Sequence, residues 1–415
     1  MTDRAAFLAA TGGWAQEVSH IAAALIRAAS PNPPGETRAA AEAAAAMLRE
    51  AAPDAELLLH EAAPGILNLV ARVTGSRPGR RIVLNGHLDT YPVNEALPWT
   101  VDPLGGAVRD GRLYGRGAAD MKGGIAASMV ALSVLAEHRD KWPGEAVLTL
   151  GGDEETMGPL GTQWLMENVP HAVGDAVIIG DAGSPEVLRF GEKGFVWMEV
   201  EAAGRPAHGA HVHLGINAYD RLRRALDALE GLRALPVAAP AAVTEAIAAA
   251  RDVSEALSGA GECAVLGSVT VNIGRVDAGT SMNLIPAAAR ASVDIRLPVG
   301  VTGDAALAAV GGALDGMEGI SWRVLRRVEP SFTDPAGELV GCVRRSAEDV
   351  LGHAPVANVR VGGSDARLFR AAGIPAVVYG PTPFNMGGAD EYVLVSELDA
   401  VARVHALAAF DFLTA

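Results

Sequence analysis

The chain has 415 residues, 50% of them hydrophobic, and a formal net charge of −15. That length suits about two domains with a sizeable core, and the composition is globular rather than disordered. An acidic surface repels phosphate backbones, so nucleic acid is excluded as an expected partner.

Cys263 and Cys342 are the two cysteines, far apart and in no metal-like spacing. No disulfide framework is expected, and a reducing, cytoplasmic setting fits. The start, MTDRAAFLAATGGW, lacks a basic stretch leading into a long apolar core, so no signal peptide is expected. No apolar run is expected to reach the ~20 residues of a bilayer span, so no membrane partner is expected.

Residues 14–29 and 36–51 read as helices, separated by the proline-rich turn SPNPPGE. AELLLH, NLVARV and GRRIVLNGH read as strands. VDPLGGAVRDGRLYGRG is turn-rich, and MKGGIAASMVALSVLAEH reads as a helix. EAVLTLGGDEE and DAVIIGDAG are apolar runs ending in glycine and acids. Helices alternating with short apolar strands predict an α/β fold with a mainly parallel sheet.

Near residue 190 the pattern changes. FVWMEVEAAG, NAYDRLRRALDALEGL, SVTVNIGRVD, ARASVDIRLP, TGDAALAAVGGALDGM and ISWRVLRRVE run β-α-β-β-α-β, a ferredoxin-like α+β order. GELVGCVRRSAEDVLG and IPAVVYG then resume the first style. The expectation is a catalytic, metal-binding domain of residues 1–189 and 333–415, with a smaller domain of residues 190–332 inserted into it.

In an open α/β sheet, ligands sit beyond the carboxyl ends of the strands. Strand ends and turns here finish in His87 and Asp89 (GHLDTYPV), in Asp120 (GRGAADMKGG), in Asp153-Glu154-Glu155 and in Asp181. Acids gathered at one rim repel each other unless a cation sits among them. His87, Asp120, Glu155 and Asp181 form a nitrogen and oxygen donor set that suits zinc, cobalt or manganese. Glu154, the other member of an adjacent acid pair, is the candidate general base, and Asp89 the candidate partner of the second imidazole nitrogen.

These residues, in this order, resemble the metal-dependent amidohydrolase and exopeptidase family of acetylornithine deacetylase, succinyl-diaminopimelate desuccinylase, aminoacylase and glutamate carboxypeptidase. The resemblance runs through GHLDTYPV, LYGRGAADMKGG, GGDEET, GRPAHGAHVHLGINA, SMNLIPAAARASVDIRLP and GGSDARLF. It implies that His87 and Asp181 bind one metal, Asp120 bridges two, and Glu155 binds the second. It implies that Glu154 acts as base and then acid, that Asp89 orients His87, and that the Asp120–Met121 peptide is cis. In the inserted domain it implies that His208 polarises the scissile carbonyl and that Asn283 and Arg296 hold a substrate carboxylate or oxyanion. A lid and dimerisation role for that domain, and a homodimer, are also implied.

One position departs from the family. Where relatives carry a histidine four residues before the Glu of Asp-Glu-Tyr, this chain has Gly387, in NMGGADEYV. The second metal is then absent or weakly held, or another group such as Asn385 or a histidine of the inserted domain completes it. His405, further on, reads as a helix-face residue. The expected function is a metal-dependent hydrolase that cleaves the amide bond of a small carboxylate-bearing substrate of the N-acyl amino acid type. Water activated by Glu154 at one or two divalent ions, zinc first, would be the nucleophile. A carboxypeptidase or dipeptidase, a mononuclear deaminase or carbamoyl hydrolase, and a non-catalytic binding protein on the same scaffold are the alternatives.

Overall fold

The computed structural model describes residues 3–415, which divide into two compact units. The first comprises residues up to Phe190, Thr333–Asn358 and Ser364–Ala415; the second comprises Gly191–Phe332 and Val359–Gly363.

The first unit is built on a sheet whose centre is parallel. Strand Arg81–His87 lies between Glu145–Gly151 and Ala176–Ile179, and Ala376–Val378 follows on the far side, all in parallel. The strands Glu56–Ala63 and Ile66–Thr74 add an antiparallel hairpin at one edge, and Val187–Glu192 runs antiparallel beside Ala376–Val378. The central strands are buried on both faces, which is why they read as continuous apolar runs rather than alternating ones. The fold class is therefore α/β with a mainly parallel central sheet and additional antiparallel sheets.

Register decides what gathers at the rim. His87 pairs with Gly151, which lies just before Asp153-Glu154-Glu155. Asn85 pairs with Ile179, just before Asp181. Parallel neighbours end on the same side, so three separate stretches deliver their acids and imidazole to one edge.

The helix Gly123–Glu137 packs across this sheet and is buried all round from Gly123 to Leu135. Gly124 permits its close approach: a Cβ there would lie 1.7 Å from the Gly180 carbonyl oxygen. The helical stretch Ala118–Glu137 has the length and average apolarity of a membrane span, although Asp120, Lys122 and Glu137 keep it from being an unbroken apolar run. Its most apolar window is, however, 94% buried inside the fold, so its apolarity serves the core. The C-terminal helix Val395–Thr414 and helix Ala15–Arg27 pack against it.

VDPLGGAVRDGRLYGRG holds more than turns. Ala107–Arg109 and Arg112–Tyr114 form a hairpin, and Tyr392–Leu394 joins it as a third strand.

The second unit has a four-stranded antiparallel sheet in the order Thr270–Ala278, Ala288–Leu297, Gly194–Ala203, Ile320–Val328. Val196, Met198, Val200 and Ala202 alternate into its core, against helices Ala218–Glu230 and Gly303–Leu314. Three short helices, Ala241–Ala249, Arg251–Ser258 and Glu262–Leu266, form an excursion that the β-α-β-β-α-β reading passes over. Cys263 and Cys342 are both buried, and neither forms a disulfide.

Candidate metal centre

His87, Asp120 and Asp181 come together at the rim of the parallel sheet, each offering a ligand atom, all within 4.8 Å of one another. His87 Nε2 lies 3.0 Å from Asp120 Oδ1. Among the described residues this is the one such group of metal-binding side chains. His87 and Asp181 are buried and Asp120 is partly open.

Each member is held from behind. His87 Nδ1 sits 3.0 Å from the Asp89 backbone oxygen, while the nearer Asp89 carboxylate oxygen is at 3.6 Å. The carbonyl is thus the imidazole's nearest partner, with the carboxylate charge close behind it, and the carboxylate has a further task. Fully buried, it accepts the backbone N–H groups of Glu154 at 3.1 Å and Glu155 at 3.0 Å, and the Asn32 amide at 2.9 Å. Asp89 therefore fixes the acidic turn that carries Glu154 and Glu155. Asp153 faces the other way and accepts from Asn32, Thr156 and the Leu160 N–H, stabilising the loop itself.

Asp120 stands in a turn whose Asp120–Met121 peptide is cis. The backbone N–H of Ala119 donates to Glu391 Oε1 at 3.0 Å, and that of Asp120 at 3.4 Å. Glu391 is itself paired with the buried Arg116. A second N–H edge of Arg116 reaches the carbonyls of Gly387 at 2.9 Å and Gly388 at 3.3 Å. Arg116 and Glu391 thus tie the turn bearing Asp120 to the loop bearing Gly387.

Glu154 lies beside Arg367, with 3.6 Å between Oε1 and Nη1. Arg367 Nη1 also donates to the Ser364 carbonyl at 2.8 Å. Burial pushes the Glu154 carboxyl up to about 8, with Asp365 and Asp181 adding to the rise and His87 and Arg367 opposing it. Burial and the charge of Asp120 push Glu155 up to about 10. Burial works against a charged His87, yet Asp120 and Asp89 outweigh it and hold its pKa well above the usual value. Carboxyls pushed up together beside an imidazole pushed up by acids amount to an excess of negative charge in a poorly solvated site, the situation a cation relieves. One imidazole and two carboxylates at this spacing fit a divalent ion of zinc type, with a position left open.

Glu155 does not join this group. Its Oε1 accepts the Tyr91 N–H at 3.1 Å. Gly387 has φ +76°, and a Cβ built there would meet nothing within 4 Å.

The remaining expected residues lie in the second unit. His208 is exposed, its Nδ1 accepting the Ala210 N–H at 3.1 Å. A backbone bridge joins its loop to that of Asn283: the Gly209 N–H donates to the Asn283 carbonyl at 2.7 Å. The Asn283 side chain accepts from Ser281 Oγ at 2.6 Å. Arg296 pairs with Asp294 at 2.9 Å and lies over the Phe195 ring. Asn32, Arg116 and Glu391, which brace the metal centre, carry no role in the sequence reading, nor does Arg367. Asn32 and Arg367 fall in stretches, SPNPPG and GGSDARLF, whose unusual composition was the available signal.

A model of peptidase family M20/M25/M40 matches residues 83–411. A succinyl-diaminopimelate desuccinylase of Cereibacter sphaeroides is 31% identical over 365 residues, 84% of this chain and 88% of its own. One from Parvibaculum lavamentivorans is 32% identical over 355 residues, 82% of each chain. Among solved structures, an M20 family metallo-carboxypeptidase of Sulfolobus solfataricus superposes with a TM-score of 0.77 at 19% identity, over 95% of this chain and 99% of its own. A Bacillus subtilis protein described as a dinuclear metal-binding peptidase of the M20 family gives 0.67 at 16% identity, over 96% and 98%. At those identities the structures share the fold.

Proposed function

The chain belongs to peptidase family M20/M25/M40, a family of metal-dependent hydrolases of C–N bonds, and on that premise we propose that it is an N-acyl amino acid deacylase. The observation that carries this is the clustered set of His87, Asp120 and Asp181 with Glu154 beside it. The curated relatives bearing a desuccinylase name favour deacylation over peptide cleavage for this chain.

A divalent ion, zinc first, would be held by His87, Asp120 and Asp181, and when bound supplies Lewis acidity toward a carbonyl and makes nearby water acidic. Glu154 accepts the proton of the attacking water as the C–O bond forms, then delivers it to the leaving nitrogen as the C–N bond breaks. Burial raises the Glu154 carboxyl above the usual carboxylate range, the direction that suits a group that takes up a proton and gives it back. Asp89 keeps Glu154 in place through the backbone, and Arg367 limits how far its carboxylate swings. His208 polarises the scissile carbonyl, and Arg296 and Asn283 receive the substrate carboxylate, for which a planar guanidinium is apt. A homodimer in the cytoplasm completes the reading.

The test is hydrolysis of N-succinyl, N-acetyl and N-formyl amino acids, dipeptides and N-carbamoyl amino acids by the zinc-loaded chain, read as released amine. The expected result is turnover of an N-acyl amino acid that Glu154→Gln lowers about 100- to 10,000-fold. Turnover confined to dipeptides or N-carbamoyl compounds would overturn the deacylase reading.

A further inference from the structure

We infer that each chain holds one divalent ion tightly, on His87, Asp120 and Asp181, and has no tight second site. The inference rests on the metal-centre reading above and concerns how many ions the centre retains.

The first ion has three protein donors within 4.8 Å of one another, enough for a four-coordinate site with an open position. A second ion would share Asp120, take Glu155 and need a third donor. Glu155 stands outside the clustered donors of the first ion, with Oε1 accepting the Tyr91 N–H, and brings one carboxylate to a second. The third donor is missing. Gly387 offers no side chain, and a Cβ built there would meet nothing within 4 Å, so the position is open to a larger residue. Its carbonyl oxygen is turned onto Arg116.

Of the two substitutes nearest in sequence, Asn385 is held within its own turn, its amide N–H donating to the Asp390 carbonyl. His405 is buried in the core, with Nε2 at 2.7 Å from the Tyr379 carbonyl and Nδ1 at 3.1 Å from Ser128 Oγ. Asp120 and Glu155 alone give a second ion two protein donors, fewer than the three of a catalytic zinc site.

The experiment is zinc titration of the metal-free full chain by calorimetry, with elemental analysis after exchange into buffer of fixed free zinc. The expected result is one zinc per chain, any second requiring at least about 100-fold more free zinc, since even supporting groups around a metal change affinity by 10- to 100-fold. Asp181→Ala should lose the retained ion. Glu155→Gln should keep it with unchanged affinity. Gly387→His should raise the count to two. Two ions retained by the unaltered chain, or a count lowered by Glu155→Gln, would overturn the inference, and a Gly387→His chain still at one ion would contradict the place given to Gly387. If Gly387→His does not fold, Glu155→Gln decides alone. A chain retaining no ion would instead contradict the metal-centre reading itself.

Discussion

The two units present their candidate residues in opposite ways. In the first, His87, Asp89, Asp181 and Glu391 are buried, and each is fixed by main-chain groups or a buried ion pair. In the second, His208 and Asn283 are exposed, and what joins their loops is one backbone bridge. Buried charges are held in place because desolvation makes every unpaired alternative costly. Exposed side chains keep water as a partner and remain free to move. The comparison assigns preorganisation to the first unit and, on the proposed function, leaves adaptable substrate contact to the second.

The sharpest way to break this comparison is in the buried half. Glu154→Gln should lower turnover about 100- to 10,000-fold while leaving the zinc count unchanged, because it removes the proton acceptor and no ligand. A variant that lost its ion would make Glu154 a ligand rather than a base. Glu391→Ala comes next. It leaves the buried Arg116 without its carboxylate and should cost about 3–5 kcal/mol in denaturant unfolding, with weaker zinc binding as the Asp120 turn loosens. An unchanged unfolding midpoint would show that the clamp is dispensable.

The exposed half predicts the reverse pattern. His208→Ala should lower turnover about 100- to 1,000-fold, as removal of an oxyanion donor does, with zinc count and melting temperature unaltered. A drop in melting temperature without loss of turnover would make it a structural residue. The smallest effect is expected at Gly387. Replacement by alanine places a side chain at φ +76° in open space, so the cost is backbone strain alone, about 1–2 kcal/mol, with turnover retained.

How much of this was legible in the sequence follows from the same contrast. The strand-end acids and His87 could be read because each sits at the close of an apolar run, and parallel register carries such ends to one edge. The braces could not be read that way. Arg116 and Glu391 are 275 residues apart, and nothing in either stretch names the other. Asp89 was legible as a partner of His87, but not as the acceptor for two N–H groups some 65 residues away, since that depends on loop geometry beyond the strand. The short sheet formed by residues 107–114 and 392–394 was hidden for a similar reason: strands of three residues give too little alternation to detect. The helices between Ala241 and Leu266 are nine residues or fewer and bury few side chains, so each is too short to stand out as a separate element. The helix in MKGGIAASMVALSVLAEH was legible as a helix, but its burial on every side was not, since that depends on the elements packed around it.

The most direct test of the central claim is turnover of N-succinyl and N-acetyl amino acids by three preparations: the zinc-loaded chain, the same chain stripped with a chelator, and the stripped chain given zinc again, with His87→Ala alongside. The account predicts turnover that disappears on stripping, returns with zinc, and is absent in His87→Ala under all conditions. Turnover that survives stripping or the loss of His87 would contradict it.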